Sequence, residues 1–109
     1  MNRLKGFQKR YLRGLAHGMS PVVFIGHKGL TERVILSMDT ALRAHELVKV
    51  KFVDIKDRTL KEELAERIEG ETLCEMVGMI GHVGVFFRAH PDPEKRRITL
   101  PERSPRETA

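Results

Sequence analysis

The chain has 109 residues, with 20 Lys and Arg against 15 Asp and Glu, a formal net charge of +5, one cysteine and no tryptophan. That length fits one domain with a modest core and is too short for two, which argues against a catalytic cleft between domains. A lone cysteine rules out an internal disulfide, no apolar run nears the roughly 20 residues of a membrane helix, and no signal-like stretch opens the chain, so the expected setting is cytoplasmic, with an anionic partner and no membrane.

Charge is unevenly spread. Residues 1–31 carry Arg3, Lys5, Lys9, Arg10, Arg13 and Lys28 and no acid, leaving 14 of the 20 basic residues and all 15 acids to the rest. At about 100° per residue, the segment from Lys5 to His17 sets Leu4, Phe7, Tyr11, Leu12 and Leu15 on one arc and Lys5, Lys9, Arg10 and Arg13 on the other. This predicts a helix that packs one side and presents a basic ridge, and the lack of any acid favours function over simple solvation.

After Gly18 and Pro21, Val22–Ile25 reads as a strand breaking into Gly26-His27-Lys28-Gly29, a Gly-x-x-Gly loop that opens a helix. Two glycines permit close backbone approach, Lys28 adds a cation, and the helix end supplies free N–H groups and a positive dipole end, which together suit a phosphate backbone. Thr31 is the expected N-cap of a helix with Val34, Ile35, Met38, Ala41, Leu42 and His45 inward, ending at His45. From Leu47 to Ile55, Val48, Val50 and Phe52 alternate with Lys49 and Lys51, a strand whose lysines face solvent or a ligand.

Thr59 and Glu62 form an expected capping box for a third helix with Leu60, Leu64, Ala65 and Ile68 inward, closed by Gly70. Strands at Leu73–Ile80 and Val83–Arg88, joined at Gly81-His82, complete the core. The predicted class is α/β: a compact α-β-α-β-α-β-β domain whose small four-stranded mixed sheet is covered by helices. Consecutive strands with helical crossovers are expected to pair in parallel, and the last two to be antiparallel. The domain is expected over residues 1–100, with 101–109 a flexible tail, although Ile98 and Leu100 are placed to pin the approach to it.

Catalytic and metal chemistry is not supported. His17, His27, His45, His82 and His90 are scattered, with no ligand pair at i and i+4, and Cys74 reads as a small buried hydrophobe. Neither the P-loop nor the dinucleotide-binding fingerprint occurs. Glu62, Glu63 and Glu66 read as solvating charges, so no catalytic residue, metal or cofactor is assigned.

A lone Gly-x-x-Gly is a weak signal, but its context is specific. Gln8-Lys9-Arg10-Tyr11-Leu12-Arg13-Gly14-Leu15-Ala16-His17, Pro21-Val22-Val23, Ile25-Gly26-His27-Lys28-Gly29-Leu30-Thr31, Glu46-Leu47-Val48-Lys49-Val50-Lys51, Val77-Gly78-Met79-Ile80-Gly81 and Arg97-Ile98-Thr99-Leu100-Pro101 follow in order. Together they resemble the CRM domain (chloroplast RNA splicing and ribosome maturation), above all its bacterial single-domain YhbY-like form, over nearly the whole chain to Pro101. The resemblance implies a fold similar to the C-terminal domain of translation initiation factor three, and binding of structured RNA in precursors of the large ribosomal subunit. It makes Gly26, His27, Lys28 and Gly29 the RNA-binding loop, with Lys5, Lys9, Arg10 and Arg13 of the first helix beside it.

The pattern departs after Gly81. Family members commonly continue with a basic residue, a β-branched pair and an aromatic-Arg-Pro ending, whereas this chain reads His82-Val83-Gly84-Val85-Phe86-Phe87-Arg88-Ala89-His90-Pro91, and Gly84 is expected to weaken that strand. The resulting expectation is a noncatalytic, monomeric RNA-binding protein, with Lys49 and Lys51 as secondary contacts and little base stacking because aromatics are few. The competing expectation is an adaptor whose basic first helix docks an acidic ribosomal or assembly protein.

Overall fold

A computed structural model describes residues 3–103. In chain order it contains α1 (Gly6–Ala16), β1 (Val23–Ile25), α2 (Glu32–His45), β2 (Leu47–Phe52), α3 (Arg58–Thr72), β3 (Glu75–Ile80), β4 (Val83–Phe87) and a 3-10 turn at Pro93–Lys95. The α-β-α-β-α-β-β order and the four-stranded mixed sheet agree with the reading of the sequence, and the strands lie in the order β1-β2-β4-β3.

β1 and β2 pair in parallel through the α2 crossover, while β4 is antiparallel to both β2 and β3. Parallel pairing of consecutive strands therefore holds for β1 and β2 alone, because β4 enters between β2 and β3. Burial accounts for this. Val85, Phe86 and Phe87 of β4 are all buried and suit an interior strand, whereas β3 ends in Ile80, which is 75% exposed and tolerable only at an edge. Gly81 makes the β3–β4 turn with φ +59, a torsion that favours glycine.

α2 and α3 cover one sheet face, where Met38, Leu42, Leu64, Ala65 and Ile68 meet Val23, Ile25, Val48, Val50, Phe52 and Phe86. On the other face α1 packs Leu12 and Ala16 against Leu47, Val77, Val85 and Phe87, and Ile98 and Leu100 join this second cluster. The C-terminal segment is held by Glu46, the residue after α2, whose side chain is almost fully buried. Its carboxylate accepts the N–H groups of Arg97 at 2.7 Å, Ile98 at 3.0 Å and His90 at 2.8 Å. Gln8 also donates to the carbonyl of Pro101 at 3.1 Å. Of the expected tail, residues 104–109 lie outside those described.

Several local expectations are corrected. Tyr11 and Leu15 are exposed and Ala16 takes the inward place, because α1 crosses the sheet on a narrow stripe through Leu12 and Ala16. His45 ends α2 as expected but is exposed. Asp57, not Thr59, caps α3: its carboxylate accepts the N–H groups of Thr59 and Leu60, while Glu62 pairs with Arg58 at 3.1 Å. Leu64, Ala65 and Ile68 face inward as expected, but at the start of the helix Leu60 is exposed and Lys61 is buried, its ammonium donating to the carbonyl of Gly81 at 2.9 Å.

Gly70 does not end α3. The helix runs to Thr72, and Leu73 takes the left-handed conformation at φ 55. β1 starts one residue later than expected, β2 ends at Phe52 and not at Ile55, β3 starts two residues later, and β4 ends one residue earlier. Gly84 does not weaken β4. It pairs on both sides, and a Cβ there would stand 2.9 Å from a Phe86 ring carbon and 3.4 Å from one of Phe52, so glycine makes room for two buried rings.

Candidate nucleic-acid interface

Strand direction decides which predicted residues can act together. β1, β2 and β3 run the same way, so the loop after Ile25, the last turn of β2 and the β3–β4 turn lie at one end of the sheet. α1 follows β3: Glu75 holds its start, Arg13 reaches Val77, and His17 lies in a groove with Ile80 and Val83. The C-terminal end of α1 thus approaches the end of the sheet that carries Gly26-His27-Lys28-Gly29.

The loop is a tight turn in which the N–H of Gly29 donates to the carbonyl of Gly26 at 2.9 Å, with His27 and Lys28 exposed at its corners. Gly29 has φ +71, the left-handed torsion glycine adopts without strain. Gly26 needs no such torsion, and a Cβ there would meet nothing within 4 Å. The fold therefore demands glycine at 29 and leaves the backbone at 26 bare.

The Gly29 amide is used within the turn, and Thr31 caps α2 by accepting from Val34 at 3.2 Å. Glu32, in the first turn of α2, already gives the positive helix end a carboxylate. An anion at this loop would consequently meet the N–H groups and side chains of His27 and Lys28 more than the helix end. Behind the loop, a groove of about 480 Å³ runs between Gly26, His27, Gly29 and the start of α3. It adds Lys56 and Arg67, which the sequence pattern did not single out, but also Asp54 and Asp57.

Lys49 and Lys51 alternate with the buried Val48, Val50 and Phe52 and project onto the α1 side of the sheet. Lys51 is exposed, whereas Lys49 is half-buried and donates to the carbonyl of Met19 at 2.9 Å. Arg13 is partly spent on structure, donating to the carbonyl of Val77 at 2.7 Å.

Lys5 and Lys9 lie at the far end of α1. Lys9 pairs with Glu75 at 3.4 Å, and the Lys5 N–H donates to Gln8 at 2.9 Å. Lys5 and Arg10 are exposed. Register thus sets Lys51 and Lys49 beside the strand that leads into the loop, while Arg13 lies over the opposite edge strand and Lys5 and Lys9 stay at the far end of α1.

Exposed apolar residues on the same face were also missed. Phe24 is 56% exposed and joins Ile80 on the side opposite the α2–α3 core. A period-two reading does mark Phe24 as facing away from Val23 and Ile25, and that was the available signal. Cys74 is buried, which pushes its thiol up to about 11, and the Thr72 hydroxyl donates to its Sγ at 3.1 Å. Among the described residues, no helix is long and apolar enough to cross a membrane.

Comparison with known proteins agrees with this architecture. The chain is 41% identical over 103 residues to an RNA-binding protein of Haemophilus influenzae, covering 94% of this chain and all of that one. It is 32% identical over 98 residues to a Bacillus subtilis protein named a probable RNA-binding protein, covering 90% and 99% of the two chains. The solution structure of the Staphylococcus aureus protein SAV1595 superposes with a TM-score of 0.76 at 38% identity, over 91% of this chain and all of the other. The profile of the CRS1 / YhbY (CRM) domain matches residues 4–88, which takes in both sheet faces and the Gly-x-x-Gly loop. With the motifs, the strand order and the full-length relatives in agreement, this chain belongs to the CRS1/YhbY (CRM) domain family.

Proposed function

We propose that this chain is a noncatalytic, monomeric RNA-binding protein of the cytoplasm that holds the sugar-phosphate backbone of structured ribosomal RNA during large-subunit assembly. The observation that carries the reading is the α1 side of the sheet, where register sets Lys51 and Lys49 beside the strand that runs into the Gly26–Gly29 turn and its exposed Lys28. Cations gathered on one face suit a polyanion. The bare backbone at Gly26 and the N–H groups of His27 and Lys28 let a phosphate approach closely. Arg10 and Lys5 extend the positive field along α1, and the relatives named as RNA-binding proteins support the same reading.

The adaptor alternative is weakened by α1 itself. Lys9 and Arg13 are bonded to Glu75 and Val77, so an acidic protein docked on that helix would meet chiefly Lys5 and Arg10. Lys28→Glu and Gly29→Asp test the loop: both should lose affinity for ribosomal RNA, Lys28→Glu with the wild-type melting curve and Gly29→Asp with a lower one, because its side chain meets the left-handed torsion at 29. Wild-type binding by both variants would refute the loop's role. With about five phosphate contacts to a single-stranded region, the log–log salt slope should lie near −3.5. Survival of the captured complex after ribonuclease treatment would favour the adaptor instead.

A further inference from the structure

Strand register aligns Phe24, Lys51, Val83 and Ile80 in one row across β1, β2, β4 and β3, on the face opposite the α2–α3 core. α1 packs over β2, β3 and β4, and the end of the sheet holding this row is left open. Phe24 and Ile80, at the two edges, are both large apolar residues more than half exposed. Between them Lys51 is exposed and Val83 half-buried, and a groove of about 340 Å³ continues past Val83 to Lys49 and His17. At about 4.8 Å between strands the row is roughly 14 Å wide, room for two splayed bases.

We infer that this row is a docking floor for unpaired RNA bases, so that the ligand includes a single-stranded segment whose phosphates lie on the Gly26–Gly29 turn and Lys51. This deepens the RNA reading above and rests on it. Phe24 is two residues before Gly26, so a backbone held at the turn brings its bases within reach of the ring. Aromatic faces stack on any base, and an aliphatic residue such as Ile80 buries base surface without reading sequence. The interleaved lysines select the occupant. A second copy laid face to face would bring like charge towards like, and an apolar protein surface would bury the exposed Lys51 ammonium without a partner, whereas a nucleic acid supplies phosphate to that lysine and base surface to the ring. The sequence count of aromatics argued against broad stacking. A single exposed ring beside the loop provides stacking at one point.

The test compares wild type, Phe24→Ala, Phe24→Tyr and Lys28→Glu on a short single-stranded oligoribonucleotide carrying 2-aminopurine and on a blunt RNA duplex of equal length. Because Phe24 is more than half exposed, its variants should keep the wild-type melting curve. Phe24→Ala should weaken the single strand about tenfold, remove the 2-aminopurine fluorescence change and leave the duplex affinity and salt slope as they were. Phe24→Tyr should restore the wild-type result, and Lys28→Glu should weaken both RNAs.

If Phe24→Ala binds the single strand like wild type while Lys28→Glu does not, the docking floor is refuted and the loop reading stands. If Lys28→Glu leaves both affinities intact, the loop reading fails independently. Loss in Phe24→Ala of a ribonuclease-resistant protein complex, with RNA affinity unchanged, would overturn the inference in favour of a protein-docking face.

Discussion

The side chain of Arg13 lies across Gly78, so close that a Cβ at residue 78 would stand 2.6 Å from Arg13 Cδ, while the guanidinium donates to the neighbouring carbonyl of Val77 at 2.7 Å. This contact adds to the packing of Leu12 and Ala16 in holding α1 on the sheet. Gly78→Ala should displace the arginine and lose that bond, at about 1 kcal/mol. For a domain of this size the melting temperature should fall by about 4–8 °C. An unchanged melting curve would mean that Arg13 does not anchor α1.

Gly84 offers a contrast, since its obstacle is a pair of buried rings that cannot swing aside. Gly84→Ala should cost about 1–3 kcal/mol by forcing Phe86 and Phe52 from their places. Denaturant unfolding would register this as a lower midpoint, and Gly84→Val should be worse. Equal stability of the alanine variant would show that the rings have slack.

Replacing Glu46 with alanine leaves the N–H groups of His90, Arg97 and Ile98 without their acceptor. A loss of about 2–4 kcal/mol is expected, concentrated in the C-terminal segment. Hydrogen exchange should accelerate at those three amides well before it does in β2 or β4. Uniform acceleration across the sheet would contradict a local tether.

Asp39 provides the pH dependence. The hydrogen bond from Arg88, at 2.8 Å, holds its carboxyl below the ordinary value of 3.8, helped by the nearby charges of Arg88 and Arg43 and opposed by burial. A depressed folded-state value means that the stabilisation is fully present above the unfolded value and is lost as pH falls through the folded one. Asp39→Asn should therefore be less stable than wild type at pH 7, and the gap should narrow only below about pH 4. A gap that does not change with pH would assign the loss to packing instead of charge.

Local signals make much of the fold legible in the sequence. The alternation of Val48, Val50 and Phe52 with Lys49 and Lys51, Thr31 before an amphipathic run, and Gly81 between two apolar stretches all mark elements the structure contains. Capping at α3 was misread because Asp57 and Thr59 are both good caps. The inward stripe of Leu64, Ala65 and Ile68 stands as expected, and only its first position passes from Leu60 to Lys61. The burial of Lys61 was not legible, since its partner is the carbonyl of Gly81, 20 residues away.

The candidate site divides in the same way. Composition and spacing alone determined that a Gly-x-x-Gly turn sits between a strand and a helix in a cationic, acid-free segment, because charge and torsional freedom are properties of residues in their local order. Only tertiary structure decided which cations share a face. Parallel β1 and β2 bring the turn beside Lys51, the inserted β4 sets Val83 and Ile80 in line with Phe24, and Glu75 draws Lys9 to the opposite end. Those neighbours are far apart along the chain and are joined by strand register and burial, which a one-dimensional pattern does not encode.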